Sequence, residues 1–305
     1  MDIKNIETGT DGAALIAQPG VSPTSGGLAA GVAMCLMSMS SIQFGAALSS
    51  SAIATYGVAG ATWLRLAFAA IILAAVVRPS VLRYSSAQWR ATLLLGTTTA
   101  AMTLCFFAAI QRLPLGLAIA IDFLGPLSVA VFGYGLSWRL TWPLIAAAGI
   151  LFLAHDGEGW VGNLPGVIFA LGSAVGWAVY ILLTKKVGAA FKGLEGLSMS
   201  LIVAGLVATP FGLAETGGAF TVEGLVEVLG LAILVPLLPY ALEMVALRRM
   251  PSASFGILMS LEPALGALAG FLILAQPMTA LQMLGTALVV AASAGATATA
   301  SAERA

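Results

Sequence analysis

The stretch "IAIDFLGPLSVAVFG", residues 119–133, sets one aspartate, Asp122, inside an apolar run and follows it with Gly125-Pro126. A second stretch, "ILMSLEPALGALAGF" at 257–271, sets Glu262 directly before Pro263 in a similar run. A carboxylate at mid-bilayer costs about 2.5–3.5 kcal/mol even on insertion scales, so each placement needs a reason. Working outward, the two stretches align with one constant offset of 137: Arg112 meets Arg249, Pro114 meets Pro251, Pro126 meets Pro263 and Gly133 meets Gly270. Four matches without a gap mark an internal repeat.

The chain around them is 60% hydrophobic and 9% charged over 305 residues, with zero net charge. Soluble domains carry about 25% charged residues. Together with a mean hydropathy of +1.02 this leaves one class, the polytopic membrane protein. Zero net charge offers no footprint for nucleic acid. The two cysteines, Cys35 and Cys105, lie in apolar stretches with no metal or disulfide spacing and read as small core residues.

Windows of about 20 apolar residues place spans near 29–49, 58–77, 90–110, 116–134, 140–154, 163–183, 195–213, 225–246, 254–274 and 279–297. The expected fold is an all-α membrane protein of ten transmembrane helices. Residues 1–25 read as a disordered cytoplasmic tail and 298–305 as a second short one. With the amino terminus inside, Lys4, Arg78, Arg83, Arg90, Arg139, Lys185, Lys186, Lys192, Arg248, Arg249 and Arg304 fall on the cytoplasmic side, against Arg112 alone outside. Eleven against one follows the positive-inside rule and puts both termini in the cytoplasm. The outer loops instead carry His155, Asp156, Glu158, Glu215 and Glu223.

Five spans in each half, 26–155 and 160–297, mean that the second repeat is inserted upside down. Inverted repeats are a transporter architecture, with the site near the midplane between the halves. Pro126 and Pro263 are expected well inside their helices, where proline kinks the chain; the kinks serve either packing or a hinge. Gly172 with Gly176, and Gly266 with Gly270, form faces for close helix approach.

The ionisable groups within spans are Asp122, Glu262, Glu243 and Arg65. Arg65 and Asp122 lie at similar depth, roughly 9–11 Å from the same face, so they read either as a structural salt bridge or as separate binding groups. Glu243 reads as a snorkelling group near Arg248 and Arg249. Three acids against one base leave negative charge to be met by protons, a cation or a cationic substrate group. Gln43, Trp177, Tyr180 and Tyr240 fall in the same layer. The aromatics read as packing, as an interfacial belt or as cavity wall.

At these residues a resemblance becomes specific. "SIQFGAALS", "RLPLGLAIAIDFLGPLSVAVF", "GWAVYIL", "LPYALEMVAL" and "FGILMSLEPALGALAGFLIL" resemble the threonine/homoserine exporters of the EamA family, in the drug/metabolite transporter superfamily. The resemblance spans nearly the whole chain. It implies ten helices in two inverted five-helix repeats and a bacterial inner-membrane location. It also implies proton-coupled, alternating-access efflux of small neutral amino acids, with no cofactor and no metal. Asp122 stands where the resemblance leads one to expect glutamate. Gln276-Pro277 stands where it leads one to expect an acid, a change expected to matter little. The partners are then a small amino acid, protons and the lipid bilayer, with a monomer as the expected state. Export of aromatic amino acids or other metabolites is the alternative within the class. A membrane-embedded enzyme or receptor is the alternative outside it: the one histidine, His155, has no second ligand nearby in sequence, and no phosphate-binding Gly-x-x-x-x-Gly-Lys loop occurs.

Overall fold

The protein, known through a computed structural model, is described over residues 25–132, 141–155, 159–239, 242, 246 and 258–302. Of the tail expected over 1–25, residues 1–24 lie outside the described residues, as do Tyr240, Glu243, Asp156, Glu158, Arg248 and Arg249, while Ser25 already opens the first helix.

The first helix, α1 (Ser25–Val77), runs through 53 residues with one non-helical residue, Gly57, at φ 74° and ψ 173°. Straight, it would measure ~80 Å, far beyond a ~30 Å hydrocarbon core. It is not straight. Arg65 Nη1 donates to Ser49 Oγ at 2.9 Å although 16 residues separate them, a span of ~24 Å in a continuous helix. The chain therefore doubles back at Gly57, and the two arms correspond to the first two expected spans. The turn falls where the sequence predicts a loop over 50–57, but helix continues through Tyr56. Glu215, expected in an outer loop, instead accepts the backbone N–H groups of Ala59 and Gly60. It thus satisfies donors that a helix start leaves without partners.

After a short 3-10 turn at Val81–Arg83 come α2 (Ser86–Ile110), α3 (Leu115–Asp122) and α4 (Leu124–Phe132). Helix α2 opens on a capping box in which the Ser85 side chain and the Gln88 side chain each take the other's backbone N–H. The expected span 116–134 is cut at Phe123. Pro126 supplies the reason: it has no N–H to donate to the Asp122 carbonyl four residues back, and its ring crowds that turn. Next are α5 (Thr141–Leu153), α6 (Leu164–Ala190), α7 (Glu195–Thr216) and α8 (Val222–Ala232). Helix α8 passes into a wide π turn at Ile233–Leu237, with Val235 out of helical geometry. The last two are α9 (Glu262–Leu274) and α10 (Ala280–Ala302). Pro263, expected mid-helix, sits in the first turn of α9, just after a break at 260–261. Helix α10 runs on to Ala302, past the point where the sequence places a tail.

Four of these helices are long and apolar enough to cross a bilayer: α1, α2, α6 and α7. Many large apolar side chains, such as Leu171, Val175 and Leu206, point outward, as a lipid-facing surface requires. Over the described residues its named elements are all helical, and the chain is a multi-pass membrane protein.

Packing follows the small residues. Gly172 and Gly176 admit Cys105 and Met102 of α2 against α6. Gly116 of α3 lies so close to the backbone of Ala267 in α9 that an added Cβ would sit 3.2 Å from its Cα. Ile119 fills the notch at Gly266 in the same way. Helices α3 and α9 are thereby fixed against each other at the centre of the bundle. Cys35 and Cys105 form no disulfide, and the first is buried.

Candidate functional site

The helix breaks converge on one cavity of about 660 Å³. The break at Phe123 ends α3 on Asp122. The turn at 260–261 begins α9 on Glu262. The third break, at Val235-Pro236, lies across from the first arm of α1. All three contribute to the cavity wall. Irregular backbone at membrane depth persists only where it is buried in protein or lines a cavity, because freed peptide groups need partners. Two serines of α1 supply partners. Ser41 Oγ donates to the Leu234 carbonyl at 2.8 Å, and Ser38 Oγ donates to that of Pro239 at 3.4 Å.

The sequence-predicted residues meet on this wall. Gln43, Arg65, Asp122, Pro126, Trp177, Tyr180 and Glu262 all line the cavity, while Pro263 stands beside it in the first turn of α9. Tyr240 and Glu243 fall outside the described residues. The cavity continues past Thr184 and Val187 to Phe191, Gly193 and Leu197 at the α6–α7 turn, so it reaches the end of the bundle that carries Lys186 and Lys192.

Arg65 and Asp122 do not pair: among the described residues no hydrogen bond or ion pair joins them. Arg65 is 2% exposed, and its guanidinium carbon lies 3.7 Å from the centroid of the Phe107 ring. One arm of the fork is committed to Ser49, whose own hydroxyl donates to the Gly45 carbonyl at 2.7 Å. Its Nε has no partner. A buried guanidinium with one hydrogen bond keeps donors that a carboxylate or other anion could accept from.

Asp122 is 8% exposed, and its Oδ1 has no hydrogen-bond partner. Ser173 of α6 is its polar neighbour and Cys105 of α2 lies within electrostatic reach, although the Ser173 hydroxyl does not attain hydrogen-bond geometry. Asp122 is also the last residue of α3 and lies two residues before α4 begins, so one helix end disfavours and the other favours a negative charge there. Glu262 occupies the first residue of α9, where the dipole favours one. Trp177 packs edge-on against Phe123 with centroids 5.4 Å apart, tying α6 to the break beside Asp122.

Sequence reasoning missed Ser49, Phe107, Ser173 and Pro236. The Pro236-x-x-Pro239 spacing in an apolar run was a visible signal for the third break. Ser49 and Phe107 carry no such signal, since their role appears only when α1 folds back. Gln276 was undervalued. Its Oε1 accepts the Leu115 N–H at 3.0 Å, so it caps the start of α3 from the segment after α9. It also borders a second cavity of about 520 Å³ beside Pro114, Leu153 and Gln282.

Among the described residues no group of three or more His, Cys, Asp or Glu side chains is arranged to hold a metal ion.

Residues 164–298 match the model of the EamA-like transporter family. The threonine/homoserine exporter RhtA of Salmonella typhimurium is 37% identical over 270 residues, covering 88% of this chain and 91% of its own. The exporter of the same name from Escherichia coli K12 matches with the same identity and coverage. A solved crystal structure superposes with a TM-score of 0.60 at 18% identity, over 92% of this chain and 99% of its own, which is a likeness of fold.

Proposed function

The chain belongs to the EamA-like transporter family, and on that premise we propose that it exports small neutral amino acids of the threonine and homoserine kind. The relatives are exporters and the family is one of transporters, so the chain is a transporter and not an enzyme.

The observation that carries the substrate class is the unpaired placement of Arg65 and Asp122 on one cavity wall. An amino acid is a zwitterion, and the wall presents its complement. Arg65 receives the carboxylate. Asp122, buried with one oxygen unpartnered, receives the ammonium or a proton in its absence. Glu262, held at a helix start, keeps the cavity negative. Exchange of proton for ammonium on Asp122 gives the coupling: the protonated carboxyl and the substrate-bound carboxylate are the two forms that a low-dielectric site tolerates.

The architecture we propose is ten spans in two inverted repeats, 26–155 and 160–297, working by alternating access in a bacterial inner membrane. The protein acts as a monomer with both termini cytoplasmic. The repeat is supported by the breaks: Phe123 plus the offset of 137 gives Ser260, where the second half also leaves helix. The orientation is supported by the lysine and arginine asymmetry.

One observation favours a second reading. Phe106, Phe107, Phe123, Trp177 and Tyr180 line the cavity, and 660 Å³ exceeds what threonine needs. Aromatic amino acids would fit that wall. Counterflow of a labelled amino-acid panel in proteoliposomes, with and without a pH gradient, decides. Preference for threonine and homoserine with gradient dependence supports the first reading. Preference for phenylalanine or tryptophan replaces it, and no transport of any amino acid sinks both.

A further inference from the structure

We propose that Gln43 reads the side-chain hydroxyl of the transported amino acid, and so selects hydroxylated over purely aliphatic substrates. This rests on the amino-acid reading above and adds a specificity residue to it.

Six side chains on the cavity wall are both polar and buried: Gln43, Arg65, Thr99, Asp122, Ser173 and Glu262. Two have their own engagements. Thr99 Oγ1 donates to the Leu95 carbonyl at 2.8 Å, and Glu262 holds a contact of its own. The other four each carry an atom without a hydrogen-bond partner: Gln43 Oε1, Arg65 Nε, Asp122 Oδ1 and the Ser173 hydroxyl. Arg65 answers a carboxylate. Asp122 with neighbouring Ser173 answers an ammonium. Gln43 answers a third polar group that a plain aliphatic amino acid does not have.

An amide fits a hydroxyl better than it fits either charged group. It offers one acceptor and two donors, and a hydroxyl is donor and acceptor at once. Gln43 is 3% exposed, and its Oε1 is buried with no hydrogen-bond partner in the protein. Its position also suits the task. Ser49, which holds Arg65, lies six residues along the same arm, ~9 Å of helix rise. Gln43 and Arg65 thus stand at different heights along that arm on one cavity wall. Ala46, on the wall between the two, leaves the room.

A site built to bond a hydroxyl discriminates strongly against the analogue without one, because its polar group is then left buried and unpaired. Threonine and valine make the comparison clean, since a methyl replaces the hydroxyl at nearly equal volume.

The test uses the full chain in liposomes. Threonine and valine compete against counterflow of labelled threonine, for wild type and Gln43→Met, a substitution of similar length and flexibility. Thermal stabilisation of the detergent-solubilised proteins by threonine and by valine gives the same ratio without transport. The expected result is a wild-type preference for threonine that falls by about tenfold or more in Gln43→Met. An unchanged ratio in the variant, or no threonine preference in wild type, overturns the assignment of Gln43 alone. A wild-type protein neither transporting nor stabilised by any amino acid overturns the reading beneath it.

Discussion

Arg65 Nη1 and Ser49 Oγ meet at 2.9 Å across a hairpin whose turn is Gly57, eight residues from each. The bond joins the two arms of α1 and aims the guanidinium at the same time. Phe107 closes the other side. Lysine reproduces neither the fork nor the flat stacking surface. Arg65→Lys is therefore expected to raise the threonine KM by tenfold or more, since a hydrogen bond to a charged group is worth about 1.5–3 kcal/mol. Counterflow kinetics measure it, and an unchanged KM would remove Arg65 from the site.

Asp122 is unpaired with Arg65, so Asp122→Asn breaks no buried ion pair. Its unfolding free energy is expected to stay within about 1 kcal/mol of wild type, while export of threonine from loaded vesicles is lost. Breaking a buried pair would instead cost about 3–5 kcal/mol. Thermal unfolding in detergent beside an export assay separates the outcomes. A destabilised variant means that the pair forms after all, and normal export means that Asp122 carries neither proton nor substrate.

Gly57 adopts φ 74°, and a Cβ there would run into the Glu215 side chain. Gly57→Ala should cost about 1–3 kcal/mol in backbone strain and dislodge the cap on Ala59 and Gly60 as well. Glu215→Gln keeps an acceptor oxygen and should cost less than half as much. A Gly57→Ala protein that unfolds at the wild-type temperature would refute this account of the turn.

Pro126 cuts the fourth expected span next to Asp122. Restoring an N–H with Pro126→Ala lets helix run across Phe123 and stiffens the joint. The transport rate should fall several-fold while threonine affinity moves little. An unchanged rate would leave Pro126 a packing device.

Reporter fusions at both ends test the topology. Both should report cytoplasm, and either one in the periplasm would defeat ten spans and the inverted repeat together.

Much of the bundle was legible because hydrocarbon thickness imposes a length and water imposes apolarity, and both are written along the chain. The charged members of the site were legible for the same reason: Asp122, Arg65 and Glu262 stand out against an apolar background. What escaped was the company they keep. That Ser49 lies beside Arg65 depends on the reversal at Gly57. That Ser41 repairs the Leu234 carbonyl depends on two spans 193 residues apart meeting at a break. Pro263 was misplaced because a proline in an apolar run looks alike inside a helix and at its first turn. Glu215 passed for a loop residue because capping is decided by the partner helix.

Gln276 holds the first residue of α3, and the break at Phe123 uncouples the last residue from α4. Between these points lies a stiff rod of eight residues, ~12 Å long, seated on α9 at Gly116 and Ile119. Two contacts along one rod forbid pivoting, so α3 carries Asp122 together with α9 and the Gln276 segment rather than with α4.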